Sequence, residues 1–337
     1  MIRKYAFLFL MLFIVLNTKG QVFNTESGKI EILGLKKWNP GKLIDSMKAL
    51  IPGKPIHPCV ADLRRDFGFT EASVLIYAKD YSDKSSIYYV VTIVENNEKG
   101  KIKYLLKPSD SLAVLEQYKS GISLIKNDLV VYYAALQTYS LFNEGKIDSA
   151  KSKLKNSGVN VENIKPFWEF IQIKKSVKDM NLALWVLEND SNDNNRKIAL
   201  AILLNFSRYD EVWWTVMNLQ RYEEQMFSLL VMNVLREFNN NPRRIDWTPA
   251  INSIKYILNG TNLFAFKTTL EVLTGTKISS DLSKYLLENS SELIMAYLNA
   301  EHEDTRETAV KFIKQICGDD KIKTADDCKA WLQKFIQ

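Results

Sequence analysis

Two histidines and three cysteines are the residues of this chain best suited to chemistry, and neither set forms a recognised motif. The histidines, His57 and His302, lie far apart in the sequence, and the cysteines, Cys59, Cys317 and Cys328, form no Cys-x-x-Cys pair. Structural zinc sites use clusters of closely spaced Cys and His ligands. We therefore predict no catalytic, cofactor-binding or metal-binding residues, and no cofactor.

The surroundings of each histidine favour a structural role. His302 lies in the acidic run 301–304 (EHED), which could ligate a metal ion. The same acids suit a helix N-terminus, whose partial positive charge attracts carboxylates, and we prefer this interpretation. His57 precedes Pro58 at a predicted helix start, which indicates a turn. The sequence also contains no Gly-x-Ser-x-Gly, His-Glu-x-x-His or glycine-rich phosphate loop, so we predict that the protein is not an enzyme.

The odd number of cysteines leaves two interpretations. Cys317 and Cys328 flank ten residues between two predicted helices and could form a disulfide bond in an exported protein. Alternatively, all three cysteines are small buried hydrophobic residues, as free cysteines commonly are.

Residues 1–20 have the pattern of a secretory signal peptide. Arg3 and Lys4 precede the apolar run 5–16, and small residues come just before Gln21. The run is shorter than the ~20 residues that a membrane-spanning helix needs, so a retained anchor is the weaker alternative. We predict an exported protein, periplasmic or secreted, that contacts a membrane peripherally if at all.

Composition narrows the class of protein further. The chain has 337 residues, enough for two domains, and 46% of them are hydrophobic. Removal of residues 1–20 lowers the formal charge from +6 to +3, because three basic residues leave with this segment. A balance this close to neutral is not typical of a nucleic-acid-binding protein.

Residues 28–107 predict a small α+β domain. Residues 29–33 alternate polar and apolar side chains, as a half-buried strand does. Asn39-Pro40 is typical of a helix start, and a second short helix follows residues 55–58. Two further strands are predicted at residues 72–78 and 87–94. The order strand, helix, helix, strand, strand accounts for one core, so we expect this domain to fold alone.

This order resembles the polypeptide-transport-associated (POTRA) domain of outer-membrane assembly and secretion proteins. The matching segments are 30–35 (IEILGL), 51–56 (IPGKPI), 63–69 (LRRDFGF) and 90–95 (VVTIVE). The resemblance implies contact with other polypeptides, often by adding a strand to a sheet edge. Family members usually carry several such modules, whereas one is recognised here. We therefore carry over polypeptide contact and not transport.

Residues 109–337 predict an all-α domain of stacked helix pairs. Residues 129–154 resemble a tetratricopeptide hairpin. Near the C-terminus, residues 270–275 align with 313–318 and residues 281–286 align with 327–332. The spacing falls in the roughly 40–47-residue range of HEAT repeats. We predict a right-handed α-solenoid of four or five helical pairs, similar to HEAT and tetratricopeptide proteins.

Two local features of this domain carry further expectations. Asp304 and Glu307 have the spacing of a capping box at a helix start. Most of the tryptophans lie among apolar helical residues and are predicted to fill cores, whereas any exposed one would be a contact anchor. The tryptophans concerned are Trp168, Trp185, Trp213, Trp214 and Trp247.

Together these patterns favour an exported, non-enzymatic interaction or scaffold protein with a protein or peptide partner, and cell-envelope assembly is the setting that the resemblance suggests. One alternative is an exported enzyme or inhibitor whose site is dispersed between the two domains. Another is a purely structural element made of many copies. The identity of the partner and the oligomeric state stay open at this point.

Overall fold

The computed structural model describes residues 21–50, 52–80, 82–125, 128–155, 158–318, 322 and 324–336. The predicted signal peptide, residues 1–20, lies outside the described residues. A small four-stranded mixed sheet near the N-terminus is followed by a mostly helical region. This confirms the coarse prediction of an α+β segment followed by helices.

The sheet contains β1 (Gln21–Thr25), β2 (Gly28–Leu33), β3 (Glu71–Tyr77) and β4 (Tyr88–Val94), in the order β1-β2-β4-β3. β2 and β4 run parallel, while β1–β2 and β3–β4 are antiparallel. The strands β2, β3 and β4 match the predicted strands within a residue or two. β1 was not predicted; it pairs with β2 through the tight turn at residues 26–27.

Two helices, α1 (Pro40–Leu50) and α2 (Val60–Arg65), lie between β2 and β3 in the chain. Asn39 caps α1 as predicted, because its Oδ1 accepts the Lys42 N–H at 3.0 Å. Alternate strand residues pack with these helices into one hydrophobic core. Its buried members are Ile30, Ile32, Leu43, Ile44, Met47, Ile56, Leu63, Phe69, Ala72, Tyr89, Val91 and Ile93.

The helical region contains thirteen further helices among the described residues. They are α3 (Lys119–Ile125), α4 (Leu129–Asn143), α5 (Ile147–Leu154), α6 (Val161–Gln172), α7 (Val177–Asn189), α8 (Asp193–Ile202), α9 (Asp210–Leu219), α10 (Gln225–Asn239), α11 (Ile251–Leu258), α12 (Leu263–Gly275), α13 (Ser280–Leu298), α14 (Glu303–Cys317) and α15 (Ala325–Ile336).

Helices end and begin where the sequence repeats were recognised. α4 and α5 form the predicted hairpin, and Gly145 in their turn takes the left-handed conformation at φ +74°. The aligned segments end α12 and α14, and Gly318 is a left-handed C-cap at φ +58°. Gly275 lies inside its helix without a positive φ. A Cβ there would lie 2.2 Å from Asn239 Oδ1, so close packing explains this glycine.

The contacts divide the chain into two compact units that do not follow the predicted boundary. The first unit joins the described residues up to Lys103 with Lys255–Thr274 and the residues from Ser279 onward. The second unit is Tyr104–Ile254 with Gly275–Ile278. The sheet therefore shares a unit with the last helices, in contrast to the predicted division into residues 28–107 and 109–337.

The reason lies in the second face of the sheet, opposite α1 and α2. Its side chains alternate with those of the first core, and they are also buried: Glu31, Leu33, Ser73, Val90, Thr92 and Val94 are all at most 5% exposed. C-terminal residues of the same unit contact this side. Tyr77 Oη lies 3.2 Å from Thr305 Oγ1, and Gly260 is so close to Val94 that a Cβ would lie 2.4 Å from its Cγ2.

An ion network also joins the two ends of the first unit. Lys36 Nζ lies 3.1 Å from Glu98 Oε2 and 2.7 Å from Glu292 Oε2, and Lys101 Nζ lies 2.6 Å from Glu292 Oε2. Burial raises the pKa of Glu98, but hydrogen bonds and charge from both lysines outweigh it and lower this pKa. The network therefore stabilises the ionised carboxylates.

Candidate functional site

A group of titratable side chains from distant parts of the sequence converges at the start of α14. Glu31 of β2 is fully buried, and its carboxylate accepts the N–H of Glu301 at 2.6 Å and the N–H of His302 at 3.1 Å. The Tyr88 hydroxyl donates to the same carboxylate at 3.0 Å. Both oxygens are therefore occupied by donors, which stabilises a buried anion at the positive end of a helix.

The His302 ring completes this cluster. It stacks on Tyr77 with ring centroids 3.8 Å apart, and it lies 4.8 Å from the ring of Tyr88. Burial lowers the pKa of the imidazole, and the positive charge of Lys267 lowers it further. The neighbouring acids raise this pKa but do not reverse the shift. The ring is therefore held as neutral imidazole at neutral pH.

The start of α14 corrects one prediction and explains the acidic run. The helix begins at Glu303 with His302 as N-cap, and neither Asp304 nor any other local side chain caps it. Glu31, which is distant in sequence, takes the two preceding N–H groups instead. The predicted capping box is therefore wrong, because the helix begins before Asp304, which lies within its first turn.

His57 takes part in a second polar contact, beside the turn between β1 and β2. Its Nε2 lies 3.5 Å from Ser27 Oγ, and its Nδ1 lies 3.4 Å from the Tyr89 hydroxyl. A serine next to an oriented histidine is the arrangement of an activated nucleophile. Ser27, however, is 1% exposed, so the contact fixes the turn and does not present the hydroxyl to a substrate.

An open depression of about 550 Å³ lies beside this turn. It is lined by Asn24, Thr25, Glu26, Lys48, Gly53, Lys54 and Ile56. Neither Ser27 nor His57 belongs to the lining. The depression therefore offers mixed charges at the surface and no assembled catalytic group.

A buried arginine in the second unit is a feature that sequence reasoning missed. Arg196 of α8 is 0% exposed, and its guanidinium lies 3.8 Å from the ring of Phe227 and 4.5 Å from the ring of Tyr222. Its Nη1 lies 3.9 Å from Glu224 Oε2, while the guanidinium has no hydrogen-bond partner within the described part of the chain. Burial lowers the pKa of this group. The two rings supply cation–π contacts in place of hydrogen bonds.

The cysteines are free thiols. Cys59 is exposed, Cys317 is partly buried and Cys328 is buried. The disulfide considered between Cys317 and Cys328 is therefore not formed. Burial raises the pKa of the Cys328 thiol to about 11, and the neighbouring thiol of Cys317 acts in the same direction. The alternative of a buried hydrophobic cysteine holds for Cys328 but not for the exposed Cys59.

Of the five tryptophans predicted to fill cores, three do so, Trp214 is only partly buried and Trp185 is exposed. Trp168, Trp213 and Trp247 are 0% exposed, as predicted. Trp185 differs, since it is 46% exposed on α7. The prediction that Trp185 fills a core is therefore wrong, and its exposure makes it the candidate contact anchor.

Trp185 belongs to an apolar surface that we call the α7 surface: Ile173, Val177, Asn181 and Trp185. Ile173, just after α6, is 75% exposed, and Val177, the first residue of α7, is 51% exposed. Val177, Asn181 and Trp185 follow at intervals of four, which places them along one side of the helix. The opposite side of α7 packs inward through Met180, Ala183, Val186 and Leu187.

The rest of the described chain offers no assembled metal site. Among the residues that the structure describes, no group of three or more His, Cys, Asp or Glu side chains could hold a metal ion. Within the same residues, no helix has the length and apolar character needed to span a membrane. Comparison of the chain with protein-family models, with curated proteins and with solved structures gives no match.

Proposed function

We propose that this protein is an exported, non-enzymatic scaffold that binds a polypeptide partner through the α7 surface. The observation that carries the proposal is the exposure of Trp185, together with the exposed Val177 on the same helix and Ile173 just before that helix. Tryptophan dominates the binding energy of many protein interfaces. A side chain of this size costs free energy in water, and a partner that covers it recovers that cost.

The proposal includes an architecture for each part of the chain and a cellular setting. The helix pairs are consistent with a HEAT-like or tetratricopeptide-like α-solenoid, in which stacked pairs share a core and leave a curved face for a partner. The N-terminal sheet with its two helices is POTRA-like, and a sheet edge would offer a second place of polypeptide contact. A setting in cell-envelope assembly follows from the leader and from these resemblances.

Site-specific photocrosslinking tests the proposal. A photoreactive residue replaces Asn181, at the centre of the α7 surface, in residues 21–337, and the protein is exposed to the envelope fraction of its native host. The matched control carries the same residue at Ser149, an exposed position of α5 in the same unit. We expect one saturable crosslinked protein at Asn181 and none at Ser149. Equal, unsaturable labelling at both positions would contradict the proposal.

A second candidate, an enzyme or inhibitor with a dispersed site, is favoured by one observation. Glu31, Tyr88 and His302 come from the two predicted domains and converge within the first unit. Substrate screening of the wild-type protein and of His302→Ala tests it. Turnover that is lost in this variant, while the far-UV circular dichroism spectrum is unchanged, would support the enzyme in place of the scaffold.

A further inference from the structure

We propose that the partner of the α7 surface is an acidic polypeptide segment with apolar anchor residues. The inference rests on the proposed function and adds the chemistry of the occupant. It is carried by the charges around the exposed apolar side chains. Three lysines, Lys174, Lys175 and Lys178, lie in the five residues between Ile173 and Asp179.

These lysines are available to a partner. Within the described ranges, none of the three forms an ion pair with the protein itself. Lys175 Nζ makes only a long contact of 3.4 Å to Asn143 Oδ1, and Lys174 Nζ lies 5.6 Å from the Phe170 ring. Lys178 is exposed on the same side of α7 as Trp185, seven residues away. A carboxylate near this end of the surface would therefore meet uncompensated positive charge.

The acids nearby define the border of the basic region. Asp179 is held in the capping box of Ser176 at the start of α7, where Ser176 Oγ and N–H both contact its carboxylate. Glu169 lies one turn before Ile173, and Glu188 lies three residues after Trp185. The positive charge is thus concentrated at the Ile173–Val177 end, and an acidic segment would bind in one direction.

A polypeptide fits this surface better than a membrane does. A helix that lies in the membrane interface presents a wide, continuous apolar face. On α7 the apolar residues Val177 and Trp185 are separated by Asn181, and they are about 12 Å apart along the helix axis. Two separated anchors with a polar group between them match spaced side chains of a peptide.

Binding of defined synthetic peptides to full-length mature protein tests the inference. The probes are a 15-residue peptide of Asp and Glu with two Leu or Phe anchors, its counterpart with Lys in place of the acids, and vesicles containing anionic lipid. Binding is measured by calorimetry at low and high salt. We expect the acidic peptide alone to bind, at least tenfold more weakly at high salt, because exposed charges are screened.

Charge variants at the exposed position Asn181 test whether the bound segment is negatively charged. Asn181→Lys should strengthen binding of the acidic peptide several-fold, and Asn181→Glu should weaken it by a similar factor. Replacing Lys174, Lys175 and Lys178 by Gln should weaken it about tenfold, while Lys146→Gln and Lys151→Gln, at exposed positions of the same unit, should leave it unchanged.

The outcomes separate the inference from the proposed function. Suppose that Trp185→Ala keeps a native circular dichroism spectrum but loses the crosslinked partner, while the lysine variants bind this partner at wild-type strength. The α7 surface is then supported, and the acidic occupant is overturned. If Trp185→Ala and both Asn181 variants retain the partner at wild-type strength, the α7 surface itself is overturned. Binding of anionic vesicles, or of the basic peptide as tightly as the acidic one, also overturns the inference.

Discussion

Glu31→Ala is expected to uncouple the sheet from the C-terminal helices of the first unit. The carboxylate accepts three hydrogen bonds, from the N–H groups of Glu301 and His302 and from the Tyr88 hydroxyl, and it is fully buried. The substitution leaves these donors inside the protein without an acceptor, and it removes negative charge from the N-terminus of α14.

The magnitude follows from these contacts. A hydrogen bond to a charged group contributes about 1.5–3 kcal/mol. Three such bonds give about 4.5 kcal/mol at the lower limit, and the removed carboxylate no longer has to be desolvated, which returns part of that sum. We expect a loss of about 3 kcal/mol in the free energy of unfolding for Glu31→Ala. Glu31→Gln, which keeps one acceptor oxygen, should lose about 2 kcal/mol.

The assay must report on the first unit, because most of the tryptophans lie in the second. Amide hydrogen exchange with mass spectrometry, over a urea series, gives the opening free energy of peptides from β2 and α14. Glu26→Ala, at an exposed glutamate in the β1–β2 turn, is the matched control and should change stability by less than about 0.5 kcal/mol. A Glu31→Ala loss no larger than that of the control would refute this account of the junction.

Three further predictions concern other parts of the chain. A fragment of residues 28–107 should unfold without cooperativity in circular dichroism, since one face of its sheet is covered by C-terminal residues; a sharp urea transition would contradict this. Gly121→Ala should lower the free energy of unfolding by about 1–3 kcal/mol, and with it the urea midpoint, because its Cβ would lie 2.5 Å from the buried Phe170 ring. An unchanged midpoint would show that the Phe170 ring moves aside at little cost. Alkylation mapped by mass spectrometry at pH 8 should modify exposed Cys59 in the native protein, and Cys328 only after unfolding, because burial raises the pKa of Cys328 to about 11.

Local signals in the sequence predicted the local structure. The alternation in residues 29–33 and the Asn39-Pro40 start identified β2 and α1 because strand exposure and helix capping depend on residues close in the chain. β1 was missed, since residues 21–25 carry only a weak alternation and adjoin the predicted cleavage site. Its pairing with β2 becomes visible only when both strands are placed.

Long-range contacts could not be derived in the same way. The alternating pattern predicts that Glu31 is simply a polar residue of a strand. Its partners Glu301 and His302 lie 270 and 271 residues away. Trp185 reads as a core residue because tryptophan is usually well buried. Its exposure depends on which side of α7 faces the neighbouring helices, and the surrounding apolar residues do not define that side from the sequence alone.

The discontinuity of the first unit has a consequence for biosynthesis. A ribosome that has completed the four strands must add about 200 more residues, from Val94 to His302, before the backbone partners of Glu31 exist. At ~5–20 residues per second this takes roughly 10–40 s. Throughout that interval the sheet face that contains Leu33, Val90 and Val94 has no cover from the end of the chain. The sheet is therefore expected to complete its packing only after these C-terminal residues have been synthesised.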